Sequence, residues 1–284
     1  MDCGVTFGGF VDRDLRFLRE GGVHVSVKKH SELIDVANKI LSDSTKEEIR
    51  AALLGTDAAP SHINCVETTI ELCAGLLAMV EVGVHKYGFS GSNPLSWYDK
   101  HSLREAIKQF FQPGQHLKPD NQKLERLFTA HNLSSIGGMR IKWTTNLVDH
   151  LMLTDDDQTV FIFHCVGFLE FHQSFADALF PDGFMEETLR TLALLFPQNN
   201  SKSRRWIQAQ IASGRQIDTS LARCGSLRAH ERRFSNFHVW HDRLVVLKQA
   251  FDDSSPRTLT QWWNDRRNSV QWYTFWHTGR DMIY

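Results

Sequence analysis

The stretch FHVWHDRLVVLKQAF, Phe237 to Phe251, brings Phe237, Trp240, Leu244, Leu247 and Phe251 round at intervals of three and four residues. That spacing returns side chains to one face of an α-helix, here about four turns long. Working outward, the same pattern recurs. HSELIDVANKIL (30–41) places Leu33, Val36, Ile40 and Leu41 on one stripe, with Ser31 suited to capping its start. STKEEIRAALLG (44–55) follows with Ser44 and Glu47 at capping-box spacing and Gly55 as a stop. CVETTIELCAGLLAMVEVG (65–83) is apolar on most faces, which predicts a helix central to a core. Ser102 can cap SLREAIKQFF (102–111).

Further on, Pro-Asp-Gly (181–183) predicts a turn. Met185, Leu189, Leu192, Ala193 and Phe196 then form a helical stripe that Pro197 ends. SKSRRWIQAQIASG (201–214) reads as a helix closed by Gly214. KLERLFTAHNLSSIGG (123–138) and IKWTTNLVDHLML (141–153) are read as helical too. TVFIFHCVGFL (159–169) is the one segment rich enough in β-branched and aromatic residues to suggest a strand, with a buried helix equally open. The expected fold is mainly α: an irregular multi-helix bundle with at most one or two short strands. Pro113, Gly114 and Pro119 suggest a linker over 113–123 between helical regions 1–112 and 124–284, the alternative being one continuous domain.

The 284 residues suffice for a substantial core, and 42% apolar with 23% charged residues is ordinary globular composition. A formal charge of −1 creates no overall attraction to nucleic acid or acidic lipid, so no nucleic-acid partner is expected. Cys3, Cys65, Cys73, Cys165 and Cys224 are odd in number and scattered, which suits free thiols in a reducing compartment. The start MDCGVTFGGFVDRD lacks the pattern of a secretion signal, and no apolar run reaches the roughly 18 residues of a membrane helix. A cytoplasmic or peripheral membrane protein, not a secreted one, is expected.

Chemical constellations are sparse. His238, His241 and Asp242 are the metal-like candidates, because histidines three apart on a helix share a face. They would serve a metal-assisted hydrolase, yet hydrolytic zinc helices space their histidines by four with a glutamate between. His164 and Cys165 are adjacent, which points their side chains apart on either a strand or a helix. Asp155, Asp156 and Asp157 are consecutive, unlike the alternating ligands of a calcium loop, and read as a solvated turn. No nucleotide-binding glycine pattern occurs, no cofactor is expected, and no small-molecule substrate is identified. Lys202, Arg204 and Arg205, then Arg228, Arg232 and Arg233, then Arg266 and Arg267 are basic clusters. They could meet phosphate groups if folding brings them together, and are otherwise solvated helix faces.

The segment QWWNDRRNSVQWYTFW (261–276) holds four of the chain's eight tryptophans. Trp262, Trp263, Arg266, Arg267, Trp272, Tyr273, Phe275 and Trp276 are therefore the candidate interface, toward a protein partner or a membrane surface. A tail folded back on the core is the alternative. This segment, with KWTTNLVDHLMLTDDDQTVFIFH and FPDGFMEETLRTLALLFP, resembles a large family of uncharacterised ascomycete proteins over about Ser31 to Trp276. The resemblance implies a fungal protein and carries no established activity. Family members continue from the equivalent of Trp276 into a membrane-spanning helix, whereas this chain reads HTGRDMIY, with Arg280 and Asp281. The expected function is thus a non-catalytic interaction or accessory protein, in the cytosol or at the cytoplasmic face of a membrane. The alternatives are the metal-assisted hydrolase and an accessory role in a fungal metabolite gene cluster.

Overall fold

A computed structural model describes residues 26–27, 29–54, 60–83, 94–113, 117, 122–174 and 179–254. The described chain is mainly α-helical, and it divides into two compact units, Met1–Phe110 and Phe111–Tyr284. Most of the expected linker, 113–123, lies outside the described residues.

The first unit contains α1 (His30–Leu41), α2 (Lys46–Leu54), α3 (Pro60–Ala78) and α4 (Leu103–Phe110). Helix α1 buries Leu33, Val36 and Ile40, the predicted stripe, while Leu41 stays exposed. It begins one residue before Ser31, at His30, and its cap is Lys29, whose amide is met by Glu32 at 3.3 Å. In α2 the capping box sits one residue later than Ser44 and Glu47 suggested. Thr45 and Glu48 exchange amide-to-side-chain bonds of 2.9 and 3.3 Å. Ser102 caps α4 as expected, reciprocally with Glu105. Helix α3 supplies the middle of the core through Val66, Ile70, Cys73 and Ala74.

Lys46, 5% exposed, is stabilised in this setting by carboxylates of α3: it pairs with Glu67 and, at 3.4 Å, with Glu71. Arg50 bridges Glu67 at 2.9 Å and Asp99 at 3.1 Å. Burial alone would raise the Glu67 pKa, but Arg50 and Lys46 outweigh it and hold the carboxyl below its ordinary range. The network fixes α2 on α3 and leaves its charges paired, so it reads as structure.

The second unit opens with α5 (Ala130–Ser135), whose N-cap Thr129 accepts from the Asn132 amide at 3.2 Å. Three strands follow: β1 (Arg140–Thr144), β2 (Leu153–Thr154) and β3 (Thr159–Phe163). They form a sheet in the order β1-β3-β2, with β1 parallel to β3 (Arg140 opposite Thr159, Thr144 opposite Phe163) and β2 antiparallel. Two expectations are corrected here. The sheet has three strands rather than one or two, and IKWTTNLVDHLML is not a helix. Its first residues are β1, followed by a 3-10 turn at Leu147–Asp149. Arg140 and Lys142 are exposed and Ile141 and Trp143 half-buried, so the sequence alternates at the period of two that a half-buried strand requires. TVFIFHCVGFL proves to be both alternatives in turn: β3, then α6 (Val166–Gln173).

Asp155, Asp156 and Asp157 form the β2–β3 turn, all at φ between 55 and 61°. They are exposed, and the Asp155 carboxylate accepts from Arg140 at 2.9 Å and Thr159 at 2.8 Å, fastening β1 to β3. The unit is completed by α7 (Phe184–Leu195), α8 (Ser201–Ala212), 3-10 turns at Thr219–Arg223 and Phe234–Asn236, and α9 (His241–Asp253). Helix α9 starts four residues later than the Phe237 periodicity predicts. The Phe237 amide closes a turn on Phe234, and the Trp240 amide donates to Glu187 at 2.8 Å, so helical bonding begins only with Leu244 to Trp240. Phe111, Phe180, Phe184 and Trp240 pack as a buried aromatic group, with Phe180 and Phe184 stacked at 5.1 Å.

Candidate functional site

The polar groups best placed for chemistry lie inside the second unit. His150, fully buried, accepts the Phe163 amide proton at Nδ1 (3.2 Å), so its ring proton sits on Nε2 and is given to Thr191 Oγ1 at 2.7 Å. Thr191 in turn donates to the Thr188 carbonyl, and Thr188 to Phe184. The Trp240 indole N–H ends the chain on Thr188 Oγ1 at 2.9 Å. Arg243 lies over the Trp240 ring at 5.3 Å and donates to the carbonyls of Val148 and His150, both at 2.6 Å. Burial, helped by Arg243, pushes the His150 pKa down to about 3. A closed, neutral, fully bonded histidine of this kind holds β3 to α7 and has no lone pair left for a substrate.

His164 and Cys165 do approach one another, contrary to the expectation that neighbours must diverge. Between β3 and α6 the backbone turns, and Sγ stands 3.7 Å from Nδ1. That nitrogen also receives the Asp218 amide at 3.3 Å. Burial and then Asp218 push the Cys165 thiol up to about 12, and burial holds the His164 imidazole below its ordinary value. Cys73 and Cys224 are likewise raised to about 12, chiefly by burial. A nucleophilic thiol needs the opposite shift.

The metal candidates do not assemble. His241 Nδ1 lies 2.9 Å from Asp242 Oδ1 in the first turn of α9, but His238 precedes the helix and is exposed. No cluster of three or more histidine, cysteine, aspartate or glutamate residues suited to a metal ion occurs among the described residues.

The basic clusters behave differently. Arg228 and Arg232 line one cavity of about 630 Å³, together with Arg126, which no sequence signal singled out. Residues 122–124 run antiparallel to 232–234: Leu124 and Arg232 are joined by an amide–carbonyl bond of 2.8 Å, and Phe234 donates to Gln122 at 3.2 Å. This pairing carries Arg126 beside Arg232. Arg232 is 7% exposed, and its guanidinium is steadied by the Leu124 carbonyl at 2.6 Å. Burial and the neighbouring Arg126 charge both lower its pKa. The start of α8 also lines the cavity: Asn200 caps the Lys202 and Ser203 amides, and Ser201 is on the lining. Glu125 is the one carboxylate on the lining, and Ala193 and Leu194 of α7 contribute an apolar patch. Lys202, Arg204, Arg205 and Arg233 do not line this cavity.

Trp262, Trp263, Arg266, Arg267, Trp272, Tyr273, Phe275 and Trp276 lie outside the described residues. No described helix is long and apolar enough to cross a membrane. The chain matches no protein-family model, and no curated protein or solved structure is significantly similar to it.

Proposed function

We propose that this chain is a non-catalytic interaction or accessory protein that works by recognition, in the cytosol or at the cytoplasmic face of a membrane, in line with its resemblance to the ascomycete family. The observation that carries this is that the scaffold already engages the second unit's reactive groups: His164 Nδ1 accepts the Asp218 amide beside the half-buried Cys165 thiol. The Cys165 and Cys224 thiols are raised to about 12, and His150 spends both ring nitrogens on the scaffold. The aromatic segment 261–276, which follows α9 in sequence, supplies the recognition surface. Tryptophan and tyrosine bring large apolar area with a polar edge, which suits either a bilayer interface or a protein groove.

The test is sedimentation of the 284-residue chain with neutral and anionic vesicles, beside a variant carrying Trp272→Ser, Tyr273→Ser, Phe275→Ser and Trp276→Ser. The intact chain is expected to pellet with the vesicles and the variant to lose this by roughly tenfold or more, as expected from the apolar surface removed. Circular dichroism of the two should coincide. A variant that pellets equally well would show that the segment is not the membrane-facing surface. A variant that unfolds would show that the segment belongs to the core.

A further inference from the structure

The cavity between α8 and the 226–232 turn has a composition that the scaffold alone does not explain. Three arginines face it against a single glutamate, and one of the three, Arg232, is held inside the protein. A buried guanidinium is ordinarily matched by a carboxylate. Here the bond that steadies it runs to a neutral carbonyl, Leu124, and the adjoining ionic group is a second cation, Arg126. Glu125 also lies on the lining, with Lys248 3.9 Å away, and the Glu231 carboxylate is engaged by the Arg228 amide. Like charges gathered in a concavity are stabilised when an anion occupies it.

The geometry also states what kind of anion. Guanidinium groups present planar pairs of N–H donors that fit the oxygens of carboxylate and phosphate. Three of them at one cavity favour a group with more than one negative charge. The Ser201 amide, in the first turn of α8, has no acceptor within its own helix, and the helix dipole there favours negative charge. The Ser226 hydroxyl, which accepts the Asn199 amide at 3.0 Å, retains a proton to donate. Ala193 and Leu194 provide room beside these donors for an uncharged portion of a ligand.

We propose that the cavity formed by Arg126, Arg228, Arg232 and the start of α8 binds a multiply charged phosphate group, with Arg232 as its fixed anchor and Arg126 and Arg228 closing on the ligand from the exposed rim. It involves no chemical step: the phosphate is held, not transferred. None of the residues lining the cavity belongs to the aromatic segment 261–276.

Isothermal titration of the full chain with inorganic pyrophosphate tests this, with sodium chloride at matched ionic strength as the control. The double variant Arg126→Gln/Arg228→Gln alters only exposed side chains and should keep the melting temperature of the parent. It is expected to bind pyrophosphate at least tenfold more weakly. A second arm sediments the same two proteins with vesicles containing phosphatidylinositol 4-phosphate, and with phosphatidylserine vesicles of equal surface charge. Pyrophosphate binding lost in the double variant, with no loss on the phosphoinositide vesicles, identifies a soluble phosphate compound as the ligand class. Loss confined to the phosphoinositide vesicles identifies a lipid headgroup. Absence of binding in both arms, or binding that the double variant leaves unchanged, overturns the proposal. The serine variant of the aromatic segment should retain pyrophosphate binding, which separates a failure of this site from a failure of the segment.

Discussion

Replacing Trp240 by alanine is expected to destabilise the second unit by about 3–5 kcal/mol, the usual cost of emptying a large aromatic site in a packed core. Trp240 is 1% exposed, and its ring meets Phe111 at 5.8 Å, Phe184 at 5.7 Å and the edge of His150 at 4.8 Å. The cavity left behind has rigid walls: Phe184 belongs to α7 and His150 is bonded at both nitrogens, so little can collapse into it. The indole N–H also ends a hydrogen-bond chain through Thr188. Arg243 would lose the ring beneath its guanidinium while still serving the Val148 and His150 carbonyls. Trp240→Phe fills most of the volume and loses only the bond to Thr188, so it should cost clearly less. Urea unfolding of the three proteins checks the order. A Trp240→Ala variant within about 1 kcal/mol of the parent would mean that the site repacks freely, against the rigidity described.

The second large effect is on the acid side. In the unfolded chain His150 takes up a proton near pH 6.5, whereas in the folded state burial and Arg243 delay protonation to about pH 3. Between those values the unfolded state binds the extra proton, so acid favours unfolding. The stability linked to a neutral His150 is complete above pH 6.5 and is lost as the pH falls through the window toward 3. The slope is about 1.4 kcal/mol per pH unit, so His150 alone removes about 3 kcal/mol by pH 4.5. His164 and His172, also held below their ordinary values mainly by burial, act in the same direction. His150→Asn keeps an acceptor for the Phe163 amide and cannot titrate. It should start less stable at pH 7 and decline less steeply below pH 6.5, by about one proton's worth of slope. Equal acid slopes in parent and variant would show that His150 is not the sealed neutral group described.

Both effects come from side chains whose partners are distant in sequence, and this marks where the sequence could be read and where it could not. The helices α1, α7 and α8 were legible because their apolar spacing and their stops, Pro197 and Gly214, are local features. Strand β1 reads as part of a helix although Arg-Ile-Lys-Trp alternates. Its partner β3 lies nearly twenty residues on, and the alternation was outweighed by the apolar residues that follow in the 3-10 turn. The periodicity of Phe237 and Trp240 ran truly along the core but not along a helix. Glu187 of α7 captures the Trp240 amide, and no local signal announces that bond. The spacing of His238 misleads for the same reason: once α9 starts at His241, three residues no longer put the two histidines on one helical face.

The phosphate cavity was half legible. Arg228 and Arg232 stood out as a charge cluster, but Arg126 joins them only through the pairing of 122–124 with 232–234, across more than a hundred residues. The pairing of His164 with Cys165 went against the simple geometry of adjacent residues because the chain bends between β3 and α6. What that pair does is set by Asp218, whose amide occupies the imidazole nitrogen a thiol would need, and nothing in the HC dipeptide foretold it.

That pair is also the most direct place to test whether the body of this protein is sealed against catalysis. The measurement is the rate of Cys165 alkylation by iodoacetamide in the native full chain across pH 6 to 10, read by mass spectrometry against the same peptide in urea. With its thiol raised to about 12, Cys165 should react roughly a thousandfold more slowly than an ordinary thiol near pH 7.5, and its rate should still be rising at pH 10. Fast labelling at neutral pH, with a rate that levels off below pH 8, would reveal a thiolate activated by His164 and would contradict the account of a non-catalytic recognition protein.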